Sequence, residues 1–156
     1  MSESRAGLMT AVMSLAGIAA SFVVPVIAAK IENQRPLVLV SAVAFLCGLA
    51  GLLVAPIAGV WAWMALLGIG QGAGIGLALT LFVLRSKTSS MAAELSGMAQ
   101  TVGYLVAATG PFAVGVLHDI TGTWTVPVLT LIAVLAGLLA AGWVAAANRT
   151  VEDDLR

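Results

Sequence analysis

A single cysteine, Cys47, and a single histidine, His118, stand in the 156 residues, so neither a disulfide framework nor a Cys/His zinc site can be assembled within the chain. Charge is scarce as well: 9% of the residues are Asp, Glu, Lys or Arg, against about 25% in a soluble domain. Seven basic and seven acidic side chains cancel, which leaves no cationic footprint for nucleic acid. His118 and Asp119 are adjacent and diverge on a helix, and no His-Glu-x-x-His occurs, so a catalytic metal lacks ligands. Cys47 lies among apolar residues and reads as a packed thiol. Nothing here calls for a metal, a cofactor or an enzyme.

What is present is apolar: 61% of the residues are hydrophobic, with a mean hydropathy of +1.10. So few charged side chains cannot solvate a surface in water. The uncharged stretches lie at 6–29, 36–84, 95–117 and 120–148. A helix needs about 20 apolar residues to cross a hydrocarbon core, so the run 36–84 holds two crossings, broken at Ala55-Pro56-Ile57-Ala58-Gly59. The expected fold is all-α, a polytopic membrane bundle of five helices over about 7–29, 36–56, 60–84, 91–117 and 124–147. No period-2 alternation supports a β-barrel. The first stretch reads as a span, because it exceeds a signal h-region and Glu3 with Arg5 gives no positive n-region.

Five alternating helices place Lys30, Arg35, Arg85, Lys87, Arg149 and Arg156 on one side and Arg5 alone on the other. The positive-inside rule makes the basic side cytoplasmic, the C-terminus included. Trp61, Trp63 and Trp124 then fall at the outer interface, and Trp143 near the cytoplasmic one.

Polar residues are unevenly shared. Helix 36–56 carries only Ser41 and Cys47, and helix 124–147 only Thr125 and Thr130, so both are expected to face lipid. Helices 7–29, 60–84 and 91–117 carry the remaining polar groups and are expected to face inward, since an unpaired polar group in hydrocarbon costs several kcal/mol. On helix 91–117, Gln100 and Tyr104 share a face with Ala93, Gly97, Ala107 and Pro111. Two readings fit: a substrate-facing wall, or an interhelical hydrogen bond worth about 0.6 kcal/mol. Gln71, midway along helix 60–84, is a further substrate-path candidate, and Glu94 and Arg85 are gate or ion-pair candidates.

Glycine stands at 68, 70, 72, 74 and 76. No strand precedes it, so a phosphate-binding loop is excluded. Gly68, Gly72 and Gly76 instead form a small-xxx-small ridge for close helix packing, and five such residues also loosen the segment. Pro25 and Pro111 mark expected kinks.

The stretch Gln100-x-x-Gly-Tyr104, then Gly110-Pro111, then Gly115-x-Leu-His-Asp-x-Thr-Gly-x-Trp-Thr-x-Pro127, resembles the second half of cyanate-permease-like members of the major facilitator superfamily. That group includes transporters described for cyanate and for 2-nitroimidazole. The resemblance extends through Gln34-Arg35-Pro36-Leu37-Val38-Leu39, Gly68-x-Gly-Gln-Gly72 and Thr80-Leu-x-Val-Leu-Arg85. It implies that the five segments correspond to helices eight to twelve of a facilitator, with 60–84 lining the cavity, 7–29 and 91–117 at the domain interface, and the other two outside. Where the family has an Asp in its loop motif this chain has Ala29, so the charge-relay gate does not carry over.

The implied function is alternating-access transport of a small polar or anionic molecule, cyanate- or nitroimidazole-like, in the bacterial inner membrane. A facilitator has about twelve helices, so the chain is expected to be a C-terminal fragment whose partners are the lipid bilayer, a small-molecule substrate, and either the missing N-terminal half or further copies of itself. The alternative is a small structural membrane protein or assembly subunit.

Overall fold

The computed structural model describes residues 3–147. Arg149, Arg156 and the C-terminal tail, on which part of the expected orientation rests, lie outside them. Five helices follow one another: α1 (Glu3–Ala28), α2 (Arg35–Val54), α3 (Val60–Leu84), α4 (Ser89–Thr121) and α5 (Thr125–Ala145). Each is long and apolar enough to cross a membrane. No strand occurs among the described residues.

The helix ends follow local chemistry. Pro36 sits in the first turn of α2, where no intrahelical N–H is needed. That helix stops at Ala55, ahead of Pro56, whose ring disfavours helical backbone before it. Thr88 caps α4 by accepting from the Met91 amide at 3.2 Å. At the other end Gly122 takes the left-handed conformation, φ 64°, and donates to the His118 carbonyl at 2.8 Å. His118 then stacks on Trp124, ring centroids 4.1 Å apart, closing the α4–α5 turn. Helices α1 and α4 run through Pro25 and Pro111 without interruption.

The glycine run is the spine of the fold, and its two-residue spacing serves two neighbours. Gly68, Gly72 and Gly76 meet the backbone of α1 at Met13, Gly17 and Ser21. Both series advance together, so α1 and α3 run parallel. Gly70 and Gly74 instead meet Phe45 and Ser41 of α2. There the order reverses, as Gly48 takes Leu67 and Gly51 takes Trp63, so α2 and α3 are antiparallel. On a helix, residues four apart share a face while residues two apart point to different ones. Packing therefore occupies these glycines, and α3 is one unbroken helix through them.

The expected division into inner and outer helices changes in part. Helix α2, expected to face lipid, is buried at Val38, Ser41, Ala42, Ala44, Gly48, Leu49 and Gly51. Its small residues allow this, because they let α3 approach. Helix α4, expected to be interior, has no buried residue. A Cβ at Gly97, Gly103, Gly110 or Gly115 would meet nothing within 4 Å.

Candidate functional site

The third face of α3, clear of both neighbours, carries Gln71, Ile75, Ala78 and Phe82, and it borders a cleft of about 910 Å³. Ser41 and Phe45 of α2 and Leu138 of α5 form its other walls, and Leu95 is the contribution of α4. The lining is largely apolar. Ser41 is already committed, donating to the Gly70 carbonyl at 2.8 Å and tying α2 to α3 at mid-span. The Gln71 side chain is exposed to the cleft and has no hydrogen-bond partner among the described residues. An amide in hydrocarbon is costly until it finds a partner, so Gln71 is the group in this cleft free to take one.

At the basic end the cleft closes on Arg35 and Arg85. Arg85, just past α3, is 9% exposed, and burial lowers its pKa below the ordinary guanidinium value. It donates to Gln34 Oε1 and, at 3.1 Å, to the Ala146 carbonyl. Arg35 donates from Nε to the Trp143 carbonyl at 3.2 Å, its guanidinium 5.1 Å from the centre of that indole. At the opposite end Trp63 donates from its indole to Ala55 O at 3.0 Å and fills the space over Gly51 and Gly59.

The remaining sequence candidates lie apart from this cleft. On α4, Gln100 is exposed and donates to Ser96 Oγ at 2.7 Å, one turn back on its own helix. Tyr104 is 71% exposed, its hydroxyl without a partner among the described residues. Glu94 accepts from Ser90 Oγ at 3.2 Å. Gln71 is therefore separated from the Gln100–Tyr104 face, and Glu94 and Arg85 each bind other groups. Most hydroxyls are satisfied locally: Thr10, Thr80, Thr101, Thr121 and Thr130 each donate to the carbonyl four residues earlier. Sequence reasoning missed Gln34, which is 3% exposed and joins Arg85 to the end of α1. Its available signal was a pair of amides, Asn33 and Gln34, between two helix ends, with basic residues assigned to the same side.

Comparison with known proteins finds relatives that are named as transporters or permeases. It is 46% identical over 149 residues to the "Uncharacterized transporter YycB" of Bacillus subtilis, covering 95% of this chain and 37% of that protein. It is 38% identical over 139 residues to the "2-nitroimidazole transporter" of Escherichia coli, covering 89% of this chain and 35% of the relative. A "Putative anionic 4-hydroxy-benzoate permease" of Thauera aromatica is 48% identical over 90 residues, which are 57% of this chain and 54% of that one. The chain thus spans little more than a third of the length of the first two relatives. No family model and no solved structure matches it. All three relatives are named as transporters or permeases, none as an enzyme. Five membrane-length helices agree with an integral membrane protein.

Proposed function

We propose that this chain is part of a secondary transporter of the major facilitator type, carrying a small polar or anionic molecule by alternating access. The observation that carries the reading is 38% identity over 89% of the chain to a transporter named for 2-nitroimidazole, a compact polar heterocycle. The relative named for anionic hydroxybenzoate supports a substrate range that includes organic anions. Gln71 is the substrate contact within the cleft, where its amide can donate to an anionic or ring acceptor and accept from a ring N–H. Gln100 and Tyr104 line the path on the far side of α4, with Glu94 as a gating carboxylate nearer the basic end.

Fragment status is supported by α4. Small residues and unpaired polar groups on a membrane helix mark packing surfaces, because lipid offers them neither close backbone approach nor hydrogen bonds. Gly97, Gly103 and Tyr104 face open space in this chain. The remainder of a transporter as long as the relatives would supply the missing neighbours. The basic end is cytoplasmic in this reading, by the positive-inside rule.

The test is a chimera in which this chain replaces the matched segment of the E. coli relative. Saturable 2-nitroimidazole flux across the membrane of intact cells, lost in the Gln71→Ala variant at equal abundance, is the expected result. A chimera that reaches the membrane as well as its parent and moves no substrate overturns the assignment.

A further inference from the structure

We propose that Gln34 and Arg85 are positioning residues that fix the basic end of α5, making it the pivot about which the other end of α5 moves against α1–α3. This rests on the transporter reading for its consequence, but its geometry stands on the chain alone.

Helices α1, α3 and α5 all end at this side of the bundle, and the three C-termini converge on one buried cluster. Ala28, Leu77, Leu81 and Ala146 form its core together with Val38 from the start of α2. Each helix C-terminus carries about half a negative charge on unsatisfied carbonyls. Gln34 answers the first: its amide nitrogen donates to Ala28 O at 3.1 Å and to Ile31 O at 2.6 Å. That choice turns the amide oxygen toward Arg85, which donates to it. The same guanidinium nitrogen donates to Ala146 O at the end of α5. One amide and one cation therefore join the ends of α1, α3 and α5, and the cation complements their dipoles. Arg35 and Trp143 add a second fastening between α2 and α5, and a Cβ at Gly142 would lie 3.0 Å from Val38.

The far half of α5 has nothing comparable. Among the described residues, every side-chain hydrogen bond and ring contact joining α5 to α1–α3 falls at or beyond Trp143. Pro127 is buried within it, but the cleft-lining residues of α5 begin only at Leu135. By contrast, α1–α3 are locked along their length by backbone contacts at Gly68, Gly70, Gly72 and Gly76. A helix held by polar fastenings at one end and by none at the other moves at the unfastened end. Opening of the Gln71 cleft is then controlled from the end opposite the clasp.

The experiment places spin-label pairs on the full chain in lipid nanodiscs, in a Cys47→Ser background. One pair, Leu39→Cys with Val144→Cys, reports on the clasped end. The other, Val54→Cys with Leu129→Cys, reports on the far end. The distance distribution of the first pair is expected to be at most half as wide as that of the second. Gln34→Ala or Arg85→Gln widens the first pair to match the second, whereas Arg85→Lys, which keeps a cationic donor for Gln34 and the Ala146 carbonyl, leaves it narrow. Equal widths in the unaltered chain, or a narrow first pair in both disrupting variants, overturns the proposal. Should those two variants fail to accumulate, the unaltered chain and Arg85→Lys decide alone. No substrate is involved, so loss of flux in the chimera and loss of the width difference are separate results.

Discussion

Adding one methyl group at Gly72 should separate α1 from α3, although the same change elsewhere on a helix is favourable. A Cβ at Gly72 would overlap the Gly17 carbonyl, and one at Gly76 would lie 2.8 Å from the Ser21 carbonyl, where ordinary contact begins near 3.4 Å. The obstacle is backbone in both cases, so no side chain can swing aside. Relief at Gly76 needs roughly 0.6 Å of helix displacement, and Gly72 needs more. A radial gap of about 0.5–1 Å forfeits a quarter to a half of each dispersion contact along the seam. Gly→Ala gains about 0.8–1 kcal/mol in helix propensity, while overpacking a close interface costs about 1–3 kcal/mol, and immovable backbone puts Gly72 at the upper end. The net expectation is about 2 kcal/mol of destabilisation for Gly72→Ala and about 1 for Gly76→Ala. Gly103→Ala, facing open space, should be neutral or slightly stabilising in this chain. The assay is thermal unfolding in mild detergent, read as loss of the monodisperse peak on size exclusion. Gly72→Ala as stable as Gly103→Ala would refute the parallel α1–α3 seam.

Ser41→Ala should cost about 0.6 kcal/mol, the average for such a bond in a membrane protein, since it leaves the Gly70 carbonyl without its donor; denaturant titration of the purified chain measures this. Trp63→Phe removes the bond to Ala55 O and part of the packing over Gly51, and should cost more than Ser41→Ala in the same titration. For topology, cysteines at Asn33 and Thr88, in a Cys47→Ser background, should resist an impermeant thiol reagent outside intact cells, and one at Thr121 should react. Reversed labelling would overturn the orientation. In proteoliposomes this chain alone should show no saturable flux of 2-nitroimidazole, because no residue of α4 is buried and the Gln100–Tyr104 face is open; specific flux would favour a small self-contained transporter.

The five spans were legible because absence of charge and presence of Pro or Gly are local signals. Pro56 with Gly59 divides the long run for a backbone reason a sequence displays directly; the expected end of α4 at 117 was short, since the helix runs to Thr121 and Gly122 caps it. The glycine ridge was legible as a packing surface, yet its partners were not. That Gly68 meets Met13 while Gly70 meets Phe45 depends on which helices stand beside α3, and nothing local specifies that. The clasp was hidden for the same reason: Gln34 and Arg85 are separated by 51 positions, and they meet only because parallel α1 and α3 end at one level.

Counting polar residues per helix gave a ranking that the packing only partly follows, and the hydroxyls explain why. A Ser or Thr in a helix can donate to the carbonyl three or four residues back, so it is satisfied without leaving its own segment. Thr101, Thr109 and Thr121 on α4 all do so, at 2.7–2.8 Å. Such residues say little about whether a helix faces lipid or protein. Ser41 is the informative exception, because it spends its proton on another helix, and it belongs to the segment that looked least polar. Amides, phenols and guanidinium groups are different, since their donors outnumber what one helix offers or reach beyond it. Gln34 and Arg85 found partners across helices. Gln71 and Tyr104 have none among the described residues, and both lie within membrane-length spans. By this accounting these two side chains, rather than the total of polar residues, direct the search for what the cleft and the open face of α4 bind.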